Sequence, residues 1–141
     1  IFLQHNLTAG PADLDAESFP VRREAFWNLW LGIPGCLALG LTRARKMEGA
    51  IVGRPCLEGW KIGPLFAENV DVAEHLLNDL FKQLPAGAPF FLDIPDINPQ
   101  AAKLVSRYNL RPVFRTARMF KGAIPPPTTR TLFGITSFEL G

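Results

Sequence analysis

The stretch Ile62-Gly-Pro-Leu-Phe-Ala67 is an apolar strand with a break in it, and Glu68-Asn-Val-Asp71 carries it directly into the helix-periodic residues 72–84. Pro64 has no N–H to give to a ladder, and Gly63 accepts dihedrals closed to other residues, so the strand is expected to bulge there. Asp71 followed three residues later by Glu74 reads as a capping box, which fixes the helix start. The first N–H groups of such a helix lack partners within the helix, and an anionic group can bind them. A strand that bends away from its neighbour and then meets a helix N-terminus makes a slot for a long ligand with a phosphate tail.

The rest of the chain has to supply a sheet around that junction. Residues 13–31 read as one helix, with Asp15 or Ser18 as cap, Pro20 in the first turn and Phe19, Phe26 and Trp30 on one face. Residues 36–42 and 47–54 are apolar runs joined by the turn Arg43-Ala-Arg45-Lys46, a hairpin pattern. Glu58-Gly59 turns the chain again, so residues 60–67 form a third antiparallel strand. After the helix, residues 90–94 are continuously apolar apart from Asp93, which predicts a central strand paired in parallel. Asn98-Pro99 opens another helix, and Asn109 is suited to the left-handed conformation that ends one. Residues 112–121 and 132–140 are expected as two last strands, and Ile1-Phe2-Leu3 as a short edge strand. This order predicts an α+β fold: a mixed, mostly antiparallel sheet with one parallel crossover and flanking helices.

With 141 residues the chain suits a single domain over 1–141. Its 48% hydrophobic and 20% charged residues predict a packed core rather than disorder. A net charge of +2, with acids and bases interspersed, does not point to nucleic acid. No apolar run reaches the ~18 residues of a membrane helix, so no membrane partner is expected. Cys36 and Cys56 lie in apolar runs and read as buried free thiols, which suits a reducing cytoplasm. Two distant histidines and no Cys-x-x-Cys predict no metal site. The chain opens on Ile1, and the expectation is a fragment or the C-terminal half of a longer protein.

Phe19-Pro-Val-Arg22, Gly63-Pro-Leu-Phe-Ala67, Asp93-Ile-Pro95 with Asn98, Arg118-Met119 and Phe138-Glu-Leu-Gly141 stand in the order and spacing of a known superfamily. On these residues the chain resembles the GNAT N-acetyltransferases, most nearly the C-terminal domain of two-domain bacterial acetyltransferases. The resemblance implies an acyl-CoA site, with acetyl-CoA as co-substrate and a small amine or peptide amine as acceptor. It implies that Leu65, Phe66 and Ala67 offer backbone groups to the pantetheine arm. Asn69, Val70, Asp71, Val72 and Ala73 would meet the pyrophosphate, and Asn98 would contact the cofactor by its side chain. A neighbouring GNAT domain or a homodimer is the implied protein partner. The resemblance departs at two places: the family's glycine-bearing phosphate loop is here Glu68-Asn-Val-Asp-Val-Ala73, and its helical tyrosine is Val105, with Tyr108 one turn on.

Acyl transfer to an amine needs a polarised thioester, a base for the ammonium and an acid for the thiolate. Glu68 at the slot's mouth and Asp93 within an apolar strand, where burial would raise its pKa, are the candidate bases. Tyr108 is the candidate acid. Glu58 reads as a turn residue, His75 as a surface histidine, and Arg118 as either an anion clamp or an exposed strand arginine. The tryptophans Trp27, Trp30 and Trp60 read as core or as a domain contact. A non-catalytic GNAT-like module, binding a cofactor weakly or packing on a partner domain, is the alternative.

Overall fold

The computed structural model of the chain describes residues 9–125 and 130–140. Two short helices, α1 (Ala9–Ala16) and α2 (Glu24–Trp30), lead into an antiparallel meander of β1 (Leu37–Arg43), β2 (Lys46–Cys56) and β3 (Gly59–Ala67). Helix α3 (Val70–Phe81) crosses over to β4 (Phe90–Leu92), which pairs with β3 in parallel, and α4 (Pro99–Arg107) follows. The last strand, β5 (Leu132–Gly134), is antiparallel to β3. This is the expected α+β architecture, a mostly antiparallel open sheet with flanking helices and one parallel crossover.

Strand β3 organises the sheet. Ile51 faces Leu65 and Gly53 faces Ile62, so Val52 alone stands opposite Gly63 and Pro64, and the strand bulges where its sequence predicts. On its other edge β3 changes partner at the same two residues: β4 pairs with Trp60–Ile62, and β5 with Leu65 and Phe66. A side chain at position 63 would bring its Cβ within 2.3 Å of the Ile135 carbonyl oxygen, so the close passage of the C-terminal segment requires glycine there. The bulge also resets the alternation of faces. Ile62 and Leu65, three apart, join one core with Leu76, Leu77, Leu80, Leu104 and Phe133 under α3 and α4. Phe66 and Leu132 face the other way, against Trp27, Trp30 and Val52 under α1 and α2.

Several expectations need correction. Residues 13–31 are not one helix: α1 and α2 are separate, because Pro20 interrupts the ladder and Arg23 folds back onto Asp15. Neither Asp15 nor Ser18 caps; Asp15 is buried in α1, and the Ser18 hydroxyl is buried with no partner among the described residues. Helix α3 begins at Val70 with Asn69 as its cap, so Asp71 lies inside the first turn and the capping box does not form. Strand β4 lies at the edge of the sheet, not its centre, with Phe91 exposed. Residues 112–121 form no strand, since arginines interrupt their apolar residues on both parities and nothing pairs with them. The last strand stops at Gly134, after which the Ser137 hydroxyl accepts from the Leu140 N–H and turns the chain. Cys56 is exposed rather than buried. The expected strand Ile1-Phe2-Leu3 lies outside the described residues.

The β1–β2 turn holds two L-residues in the left-handed region, Ala44 at φ 47° and Arg45 at φ 65°. Each costs about 1–2 kcal/mol that Asn or Gly would largely avoid. The double substitution Ala44→Asn and Arg45→Gly is therefore expected to stabilise the domain by about 1–2 kcal/mol, read as a higher denaturant midpoint with an unchanged slope. A lower midpoint would show that the turn residues contribute something other than backbone geometry.

Candidate functional site at the paired helix N-termini

Two helix N-termini meet beside the end of β3. The Asn69 side-chain oxygen accepts from the N–H groups of Asp71 and Val72, each at 3.0 Å. Asn98 caps α4 in the same way, accepting from the Gln100 N–H at 3.0 Å. Gln100 then reaches across, its Oε1 accepting from the Val70 N–H at 3.0 Å. Further along, the Tyr108 hydroxyl donates to Asn78 Oδ1 at 2.7 Å, so α3 and α4 run side by side with both N-termini at the same end. Gln100 is a site residue that sequence reasoning missed. Its signal is faint: it stands two residues after a cap, on the turn that faces the neighbouring helix start.

The N–H groups expected to meet a pyrophosphate, those of Val70, Asp71, Val72 and Ala73, are thus all occupied by the chain itself, the last by the Asn69 carbonyl. Their side-chain partners are neutral carboxamides. A carboxamide can give way to a phosphate oxygen at the same N–H, whereas a capping carboxylate would hold it by charge. The Asp71 carboxylate does not compete there; it lies 3.4 Å from Arg107 Nη1, which also pairs with Glu74. Both helix N-termini are thus held by neutral side chains, with Arg107 the nearby cation.

The slot beside β3 is filled. Leu65 pairs with Gly134 and Phe66 with Leu132, while the Ala67 N–H donates to the Thr131 carbonyl at 2.9 Å. Asn98, 3% exposed, stitches this strand in place: its side-chain NH2 donates to the Leu132 carbonyl at 2.8 Å and to the Arg130 carbonyl at 3.4 Å. The Ile135 N–H closes the other side on the Asp93 carbonyl at 2.8 Å. Leu65, Phe66 and Ala67 are themselves fully packed in the core.

The three residues expected to move protons are not gathered. Asp93 is ion-paired with Lys61 at the β3–β4 end of the bulge, and Glu68 with Lys46 just beyond the other end of β3. Asp93 follows the residue that faces Ile62, so five residues of strand, on the order of 16 Å, separate its level from Glu68. Tyr108 lies two turns down α3 from the junction. Burial raises its pKa above the usual phenol value, helped by Glu74 and opposed by the Asn78 hydrogen bond, which keeps the phenol protonated at neutral pH. A separate cavity of about 300 Å³ opens between β1 and α3, lined by Leu39, Leu41, His75, Leu76 and Asp79 among others, and none of the expected site residues borders it.

Partial burial disfavours thiolate formation at Cys36. Desolvation pushes the Cys36 thiol up to about 11 against the lowering effect of Arg54, while Cys56 is exposed. Iodoacetamide at neutral pH is expected to label one thiol in the folded protein, Cys56, and both in denaturant, counted by intact mass. Because the folded pKa is the higher one, this group's contribution to stability is complete below the ordinary thiol value and is lost as pH rises toward 11. Rapid native labelling of Cys36 would contradict its placement.

A family profile described as an acetyltransferase (GNAT) domain matches residues 12–134. Among curated proteins, the chain is similar to a holothin acyltransferase of Pseudoalteromonas sp. (strain SANK 73390), 25% identical over 140 residues. That alignment covers 96% of this chain and 48% of the relative, so the chain spans about half the length of the curated relative it matches. No solved structure matches. A bulged central strand running into a helix N-terminus, a parallel crossover and a profile match over most of the chain agree: the protein belongs to the GNAT acetyltransferase family.

Proposed function

We propose that the domain transfers an acyl group from an acyl-CoA, acetyl-CoA in the simplest case, to an amine of a small molecule or peptide by direct attack. The observation that carries this reading, beyond family membership, is the convergence of two helix N-termini capped only by neutral amides at the end of β3. In this reading Asn69, Val70, Asp71, Val72 and Ala73 receive the pyrophosphate once the Asn69 and Gln100 side chains swing aside. Leu65, Phe66 and Ala67 meet the pantetheine arm by their backbone once β5 and the Thr131 carbonyl give up their bonds to it, and Asn98 stands beside it. Glu68 and Asp93, each beside a lysine, are the groups available to take the ammonium proton, and Tyr108 holds a proton at its phenol oxygen. A soluble setting such as the cytoplasm suits a CoA-dependent reaction, and a neighbouring GNAT domain or a second copy would complete the assembly.

A second reading, a GNAT-like module without turnover, is favoured by one observation: β5 holds the backbone of Leu65 and Phe66 in the place the arm would take. Calorimetric titration with acetyl-CoA separates the two. Binding in the micromolar range is expected, weakened by about tenfold or more in Asn69→Asp and in Gln100→Glu, since a carboxylate at either position keeps its N–H partners but repels phosphate. Thiol release with a panel of amines then tests turnover. Binding that ignores both substitutions would move the nucleotide elsewhere, and no binding at millimolar cofactor would leave the packing module.

A further inference from the structure

The near balance of charge over the whole chain hides a strong asymmetry within it: between Asp96 and Glu139 there is no acidic residue. Inside that stretch, residues 110–125 form neither helix nor strand, and from Arg111 on every one is exposed. Structureless runs of this length are uncommon in compact domains and are usually either functional or linkers. Arg111, Arg115, Arg118 and Lys121 make no ion pair with any described residue. Interleaved with them, Val113, Phe114, Met119 and Ile124 are between 62% and 89% exposed. The run touches the C-terminal segment where Phe114 meets the Phe138 ring edge-on at 5.5 Å, and within it Arg118 lies over the Phe120 ring at 5.3 Å.

We propose that residues 111–124 are a docking surface for another protein, one that presents Asp and Glu carboxylates around apolar side chains. Four cations without an ion pair among the described residues suit an anionic partner, and three of the four are arginines, which suit carboxylates bidentately. Phe, Met and Arg are the side chains that protein interfaces gather, and apolar strips of this kind mark partner sites. A phosphate backbone would leave Val113, Met119 and Ile124 without use. A lipid surface needs one apolar face, whereas both alternate rows here mix charge with apolar groups: Val113, Arg115 and Met119 in one, Phe114, Arg118 and Phe120 in the other.

The test is fluorescence anisotropy with a labelled peptide of alternating Glu, Phe, Asp and Leu, compared with poly-glutamate, duplex DNA and phosphatidylserine vesicles. Micromolar binding of the mixed peptide is expected, falling by about tenfold in Arg111→Glu/Arg115→Glu and again in Phe114→Ser/Met119→Ser. The substituted residues are exposed, so circular dichroism should show both variants folded. Equal binding of poly-glutamate would reduce the surface to charge alone and overturn the proposal, as would tighter binding to DNA or vesicles. A dimer that the apolar variant splits would assign the strip to a second copy instead. No binding to any probe refutes it outright.

Discussion

Asp15→Ala should cost the fold about 3–5 kcal/mol, the largest loss expected from any single charge in the molecule. Asp15 is 2% exposed and takes three hydrogen bonds: from Arg23 Nη2 at 2.7 Å, from Arg23 Nε at 2.8 Å and from Trp27 Nε1 at 3.2 Å. Removing it strands a guanidinium that is itself largely buried and leaves a core indole N–H without a partner. The damage would spread, because the same Arg23 lies 3.6 Å over the Phe19 ring and holds the Leu140 carbonyl at 2.6 Å. Arg23 therefore ties the α1–α2 connection to the C-terminal segment. A fall in melting temperature of roughly 10 °C is expected, against almost none for Asp13→Ala, whose pair with Arg22 is exposed. If the two variants melt alike, the buried pair is not what joins the first two helices to the sheet.

The second large effect is expected at Asn98. Its side chain does two jobs with two atoms: the oxygen caps α4, and the nitrogen holds the Leu132 and Arg130 carbonyls. Asn98→Ala loses both, at about 2–4 kcal/mol. Asn98→Asp keeps the cap but turns a carboxylate toward two carbonyl oxygens, so it should recover only part of the loss. Hydrogen exchange reads the difference locally. The Ala67 and Ile135 amides, which close on residues on either side of the slot, should exchange much faster in both variants, while α4 amides should be freed only in the alanine variant. Equal protection of Ala67 in wild type and variants would mean that Asn98 caps a helix and nothing more.

The bulge at Gly63-Pro64, the crossover helix and the cap at Asn98 were legible in the sequence because each rests on a local rule. Proline lacks a donor, apolar residues repeat with the helical period, and asparagine before proline starts a helix. Non-local competition decided the rest. Asp71 and Glu74 have the spacing of a capping box, but Asn69 stands one residue before the helix and takes the N–H groups first, leaving both acids to Arg107 on another helix. Residues 112–121 have strand-like composition, yet β5 and not this run pairs with β3, and no described strand takes the run up. The candidate bases come from different strands, Glu68 just after β3 and Asp93 just after β4, and strand length puts them at opposite ends of the slot. Lys61 opposite Asp93 and Lys46 beside Glu68 come from other strands, and no spacing along the chain announces them.

Strand β3 gathers its neighbours over very different spans of chain. Strand β2 precedes it by a tight turn, but Leu65 and Phe66 wait for Gly134 and Leu132, on the order of 70 residues later. During synthesis at about 5–20 residues per second, that wait lasts roughly 3–13 s. By its end the nascent chain has made the meander, four helices and β4, while the β3 edge at Leu65 and Phe66 still lacks the partner that β5 supplies. Until β5 arrives, that open edge is a template on which another chain can pair. A message truncated before the codon for Arg130 would make it permanent.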